Sequence, residues 1–169
     1  MTKVGVIGIG KVGSALAFSL LFHPKVTEIH LVDELERKLR GEYEDLDTAN
    51  LLLKANKHIQ ISNLISIQEC DIIFVAAGQA RQNSQVSDEE LFQINIATVT
   101  ALIRNLDWNK VYIITNPSKM LGEKLGVKYL GDDLDMCRET YNKRSGKWVL
   151  DQKGFTNWGI AAEAYKVIN

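Results

Sequence analysis

Short, nearly continuous apolar runs alternate along this chain with longer segments whose apolar residues are spaced for a helix. Val4, Val6, Ile7 and Ile9 read as a parallel strand covered on both faces, and Ala15, Leu16, Phe18, Ser19 and Leu20 continue as a helix. Ile29 to Val32 predicts a second strand ending at Asp33, followed by a polar helix over Leu35 to Leu53 with the acidic run Glu42, Glu44, Asp45 and Asp47. Ile59 to Ser62 is a weaker strand signal and Asp71 to Ala76, D-I-I-F-V-A, a stronger one that runs into Ala77 and Gly78. Gln79 to Ser87 reads as a polar loop. Asp88, Glu89 and Glu90 then open a helix through about Leu106, acidic where the helix dipole favours it. Lys110 to Thr115 is a further buried strand, stopped by Asn116 and Pro117. Beyond it the pattern loosens: a short helix over Lys119 to Leu125, another over Leu134 to Tyr141, a strand or hairpin arm over Lys147 to Gln152 around Ser145 and Gly146, and a final amphipathic helix over Phe155 to Ile168. Strand and helix in alternation predict an α/β doubly wound parallel sheet.

The junction between the first strand and helix carries chemistry. Lys3 to Gly13 reads K-V-G-V-I-G-I-G-K-V-G and sets Gly8, Gly10 and Gly13 at the turn. A strand, a glycine turn and a helix N-terminus make a site for a diphosphate, because glycines allow the tight turn and close backbone approach while free N–H groups and the positive helix end meet the anion. Asp33 follows about 20 residues after the last of these glycines, where a carboxylate accepts hydrogen bonds from a ribose diol and repels a 2′-phosphate. The pattern specifies a Rossmann-type domain that prefers NAD to NADP. Gly78 ends a strand beside the same cleft, where backbone must approach the cofactor.

Composition narrows the partners. The 169 residues are 46% hydrophobic and 24% charged with a formal net charge of -1, without the basic excess that nucleic-acid binding requires. The N-terminus enters a strand directly and no apolar run reaches membrane-helix length, so no membrane partner and a cytoplasmic location are expected. Cys70 and Cys137 lack metal or C-x-x-C spacing and are expected as reduced thiols, with no metal site.

Six blocks carry a resemblance: G-I-G-K-V-G (8 to 13), L-V-D (31 to 33), G-E-Y-E-D-L-D-T-A (41 to 49), A-A-G (76 to 78), E-L-F-Q-I-N (90 to 95) and T-N-P (115 to 117). In this order and near-spacing the chain resembles the NAD-dependent malate and lactate dehydrogenase family. G-D-D-L-D-M-C-R (131 to 138) and G-F-T-N-W-G-I-A (154 to 161) are similar to later family segments, although the chain is much shorter than a family member. The resemblance implies cofactor contacts from Gly8, Gly10, Lys11, Val12, Gly13, Asp33, Ala77, Gly78, Asn95 and Asn116. It further implies a nucleotide-binding domain over 1–117, with 118–169 a remnant of the substrate domain packed on it.

Family members move a hydride between nicotinamide and the carbon of a 2-hydroxy acid. By resemblance Asp135 matches the aspartate that orients a catalytic histidine, Arg138 the arginine that binds the substrate carboxylate, and Arg81 a first loop arginine. The second loop arginine falls at Ser87 or Asp88 and is missing. No histidine lies between Arg138 and Gly154; His23, His30 and His58 all sit in the nucleotide-binding half. Plainer readings stand beside these: an i,i+3 surface pair for Asp135 and Arg138, a solvated loop residue for Arg81, and a solvated turn for Lys143, Arg144 and Lys147. A stripe of Leu46, Ala49, Asn50 and Leu53 fits either a homodimer face, as in the family, or packing on the protein's own sheet. Two functions follow: an NAD(H)-binding protein with poor or no turnover, or a minimal dehydrogenase for a small 2-hydroxy or 2-keto acid, completed by water or a partner subunit.

Overall fold

The computed structural model describes residues 1–83 and 85–168. Its apolar runs pair side by side as β1 (Thr2–Ile7), β2 (Val26–Val32), β3 (His58–Ile61), β4 (Ile72–Val75), β5 (Val111–Ile113) and β6 (Lys128–Tyr129), all parallel, in the order β3-β2-β1-β4-β5-β6. This is the Rossmann strand order, and it reverses direction between β1 and β4. The helices are α1 (Lys11–Leu20), α2 (Glu36–Leu53), α3 (Asp88–Ile103), α4 (Ser118–Leu125), α5 (Asp132–Thr140), α6 (Gly146–Lys153) and α7 (Trp158–Lys166).

Alternate residues of the central strands feed two cores, which is why their runs are apolar throughout. Val4, Val6, Leu31 and Phe74 pack with Leu16 and Leu20 of α1, Leu46 of α2 and Ala161 and Ala164 of α7. Ile7, Ile73, Val75 and Ile113 pack on the other face with Val99 and Ile103 of α3 and Leu121 of α4. Cys70 is fully buried in this second core, and burial pushes its thiol up to about 12. Cys137 is exposed, and both thiols are free. Among the described residues no helix is long and apolar enough to cross a membrane, and no group of side chains is placed to hold a metal.

Several expectations change. Lys147 to Gln152 is not a strand or hairpin arm but most of α6: Ser145 caps its start by accepting from Trp148 N–H at 3.2 Å, and Gly154 closes it in the left-handed region at φ 81°. Of the two residues read as a turn, Ser145 is therefore the N-cap and Gly146 the first residue of the helix. The last helix begins at Trp158 rather than Phe155, and α3 ends at Ile103, followed by a separate turn over Trp108–Lys110. The sheet continues past Pro117 through β6, whose Lys128 and Tyr129 pair with Tyr112 and Ile113.

At the far end of α1, His23 is 6% exposed and its ring meets Tyr165 edge-on at 4.5 Å. Burial, with the Lys57 ammonium nearby, lowers its pKa. Lys57 is anchored there by donating to the His23 and Val26 carbonyls at 2.8 Å. On acidification the unfolded chain takes up the His23 proton first, so this contribution to stability is complete above about pH 6.5 and lost as pH falls toward the lowered folded value. Urea midpoints measured from pH 7.5 to 5 are expected to decline, and to decline less in His23→Phe; equal slopes would remove His23 as the cause.

Candidate functional site

The mouth lies at the C-terminal ends of β1 and β4, where the strand order reverses. Gly8 leaves β1 at φ 92°, donating to Val32 O at 2.7 Å, and a Cβ on it would stand 2.4 Å from Ala77 N. A Cβ on Gly13 would stand 2.0 Å from Gly8 O, so α1 seats directly on the turn. Gly10 differs: the nearest atom to a Cβ there is Lys38 Nζ at 3.9 Å, and the position faces open space. Gly10 is also the N-cap of α1 and offers no side-chain cap. The first helical bond runs from Ser14 N–H to Gly10 O at 2.8 Å, which leaves the N–H groups of Gly10, Lys11, Val12 and Gly13 without a partner among the described residues. Unpaired donors around an open glycine suit a diphosphate, with the helix dipole adding to the attraction.

Asp33 closes the mouth from the end of β2. Its Oδ2 accepts from Ile9 N–H at 2.7 Å and its Oδ1 from Leu35 N–H at 3.0 Å, with Lys38 Nζ 3.9 Å away. The carboxylate is held in one orientation, and each oxygen keeps a lone pair for a ribose hydroxyl. Across the switch point, Gly78 follows Ala77 at φ 150°, and a Cβ there would meet Asn95 Oδ1 at 2.9 Å. Asn95 is 1% exposed: it accepts from Gln79 N–H at 2.7 Å and donates to Gln79 O at 3.0 Å and Asn116 O at 2.8 Å. Its side chain thus ties together the loops after β4 and β5. Thr115 adds a second tie, donating to Ala77 O at 2.7 Å and Val75 O at 3.0 Å. Asn116 itself is exposed at the end of β5, before a cis peptide bond to Pro117.

Residues 2–127 match the family described as lactate/malate dehydrogenase, NAD binding domain. The chain belongs to that family. Its cofactor is NAD. Relatives of this dehydrogenase-family domain include the L-lactate dehydrogenase A chain of Gallus gallus, 35% identical over 123 residues, a match that takes in 70% of this chain and 37% of that relative. The chain thus spans well under two thirds of the length of the curated relatives it matches. Malate dehydrogenase from Archaeoglobus fulgidus, solved in complex with NADH, has the same fold at TM-score 0.78 and 23% identity, covering 98% of this chain and 76% of that one. Malate dehydrogenase from Cryptosporidium parvum gives 0.70 at 25% identity, covering 84% of this chain and 49% of that one.

The residues that resemblance set in catalytic roles are engaged elsewhere in this family member. Arg81 donates to Val86 O and to the Asp88 carboxylate, folding back on its own loop and the first turn of α3. That turn is locked by Ser87 and Glu90, whose side chains each accept the other's backbone N–H, and the donors at Ser87 hold the Glu90 carboxyl below its ordinary pKa. Arg138 pairs with Asp135 on the same helix at 3.1 Å, with the Asp135 side chain 75% exposed. The i,i+3 pair is present, open to solvent on the Asp135 side and sheltered on the Arg138 side, which is 19% exposed. The stripe on α2 is divided: Leu46 and Asn50 are buried, Ala49 is half-buried and Leu53 is exposed, and Asn50 exchanges hydrogen bonds with the Lys57 backbone. Leu51, Leu52 and Leu53 at the end of α2 stay exposed. Sequence reasoning missed Lys38 at the mouth and the loop-tying roles of Asn95 and Thr115. For Asn95 and Thr115 the signal was their place in matched blocks as polar residues beside apolar neighbours; Lys38, in the polar stretch Glu36 to Arg40, had none.

Proposed function

We propose that the chain is an NAD(H)-binding protein of the lactate/malate dehydrogenase family with poor or no turnover of 2-hydroxy or 2-keto acids. The observation that carries this reading is the set of unpaired N–H groups around the open face of Gly10, with Asp33 fixed at the end of β2. In it, Gly8, Gly10, Lys11, Val12 and Gly13 hold the diphosphate, Asp33 the adenine-side ribose, and Ala77, Gly78 and Asn116 the nicotinamide half, with Asn95 shaping the loops behind them. When bound, NAD would supply or accept a hydride. What this chain lacks is a histidine to move the accompanying proton, since none lies between Arg138 and Gly154. Arg138 can bind a substrate carboxylate, and Arg81 can reach the substrate, only by leaving their present partners, and Asp135 has no histidine between Arg138 and Gly154 to orient. The exposed leucines ending α2 support a homodimer, and we place the protein in the cytoplasm.

Fluorescence titration with NADH and NADPH tests the cofactor half of this reading. The wild type is expected to bind NADH and to discriminate against NADPH. Asp33→Asn, which keeps the shape but removes the charge, is expected to weaken NADH about tenfold, the loss of one or two hydrogen bonds to a charged group, and to narrow the gap to NADPH. Unchanged discrimination would remove Asp33 from the site.

A further inference from the structure

The outer strands of the sheet carry a polar row on one face. β2 and β3 pair Glu28 with His58 and His30 with Gln60, so alternation sets Glu28, His30, Gln60 and Ser62 on the side where Val32 packs with Ile7 and Ile67. Ile29, Leu31 and Ile59 fill the opposite core. Ser62 continues the ladder past β3, its N–H donating to Leu31 O at 2.8 Å, and its hydroxyl lies 3.1 Å from His30 Nδ1. His30 Nε2 lies 3.4 Å from Glu28 Oε2, and Glu28 pairs in turn with Lys3 at 3.1 Å.

This chain of contacts settles where the protons belong. The Lys3 ammonium, and after it His30, hold Glu28 below the usual carboxylate range, so its oxygens only accept and the imidazole proton belongs on Nε2. Nδ1 is left with a lone pair, to which the Ser62 hydroxyl donates. Gln60 Nε2 stands 3.1 Å from Nδ1 and 2.9 Å from Nε2. An atom that close to both nitrogens would strike the ring if it lay in the ring plane, so the amide covers the ring face and leaves the two edges to Ser62 and Glu28. His30 is 1% exposed, which keeps water from the imidazole, while Ser62 is half-buried beside exposed Asn63 and Leu64.

A hydroxyl within reach of an imidazole that a third group orients is the arrangement of an activated nucleophile. We propose that Ser62 is such a nucleophile, with His30 as its base and Glu28 as the residue that positions His30, and that it accepts an acyl group from an activated ester. Oγ bonds to the carbonyl carbon, the bond to the leaving oxygen breaks, and the Oγ proton passes through His30 Nδ1 to that oxygen. The transfer consumes the hydroxyl, so it runs once per chain, and it needs nothing from the Gly10 mouth.

The test mixes the full chain with para-nitrophenyl acetate, follows nitrophenolate by absorbance and locates the acetyl group by peptide mass mapping. A burst of about one equivalent is expected, with the acetyl group on Ser62, and Ser62→Ala is expected to lose it. His30→Gln is expected to slow the burst about a hundredfold, the low end of what a positioned base contributes. Nitrogen NMR is expected to find the His30 proton on Nε2, and Glu28→Gln to lose that preference together with about tenfold in burst rate. The wild type supplies a check that no misfolded variant can spoil: acetylation of Ser62 no faster than in the urea-unfolded chain would overturn the proposal. A His30 proton on Nδ1 would overturn it as well. A wild-type burst rate in His30→Gln, folded by its circular dichroism, would remove His30 as the base.

Discussion

Gly10→Val is expected to fold and melt like the parent and to lose NADH binding by a hundredfold or more, about 3 kcal/mol. The position is extended at φ -91°, a conformation open to any residue, and an added Cβ meets only the end of the flexible Lys38 side chain. Folding therefore has no objection to a side chain. A ligand does, because two more methyl groups would fill the space in front of the free N–H groups. Gly13→Ala is expected to do the reverse. Its single methyl would lie 2.0 Å from Gly8 O, so either α1 must lift from the turn or the turn must open, at roughly 3 kcal/mol or more. Gly8→Ala adds a left-handed strain at φ 92° to a clash with Ala77 backbone and belongs with Gly13→Ala. Urea denaturation and NADH titration on the three variants separate them. Retained NADH binding in Gly10→Val would show that the diphosphate does not pass over this glycine.

That division was hidden in the sequence, where the three glycines look alike. The spacing of Gly8, Gly10 and Gly13 between an apolar run and a helix was enough to locate the turn, and Asp33 at the end of the next run was enough to mark the ribose side. Both are local signals, carried by strands buried on two faces. The C-terminal third gave less because its elements are short and shallow: α5 buries no residue and α6 buries only Leu150, so neither imprints a helical period. Ser145 and Gly146 were visible as punctuation, but a serine before a glycine opens a hairpin turn as readily as it starts a helix. β6 has two residues, too few for any pattern, and owes its place to pairing with β5. The hydrogen bond from Asn157 to Lys11 O, 3.4 Å long, has no local signature at all, since its partners come together only after the sheet has formed.

Mixed with NADH and oxaloacetate, pyruvate or glyoxylate, the protein is expected to oxidise the cofactor at no more than a trace rate. A positioned general acid or base contributes about 10² to 10⁴ in rate, roughly 3 to 5 kcal/mol, and the three histidines are badly placed to supply one. His23 follows α1 and His58 opens β3, both at the end of the sheet opposite the mouth, and His30 is buried in β2 with its ring within 3.1 Å of Gln60 and Ser62 side-chain atoms. Added imidazole separates two causes of inactivity. It replaces a missing proton donor, and it restores a rate only where the substrate is still held. Here Arg138 is paired with Asp135 and Arg81 with Val86 and Asp88, so a keto acid would have to displace both pairings before its carboxylate was bound. No imidazole rescue is therefore expected, while NADH binding persists. A rate restored by imidazole would mean that the arginines do reach the substrate and that the proton donor alone is missing. Turnover near 1 s⁻¹ or faster without imidazole would place an unrecognised acid at the ends of β4, β5 and β6 and return the protein to the enzymes of its family.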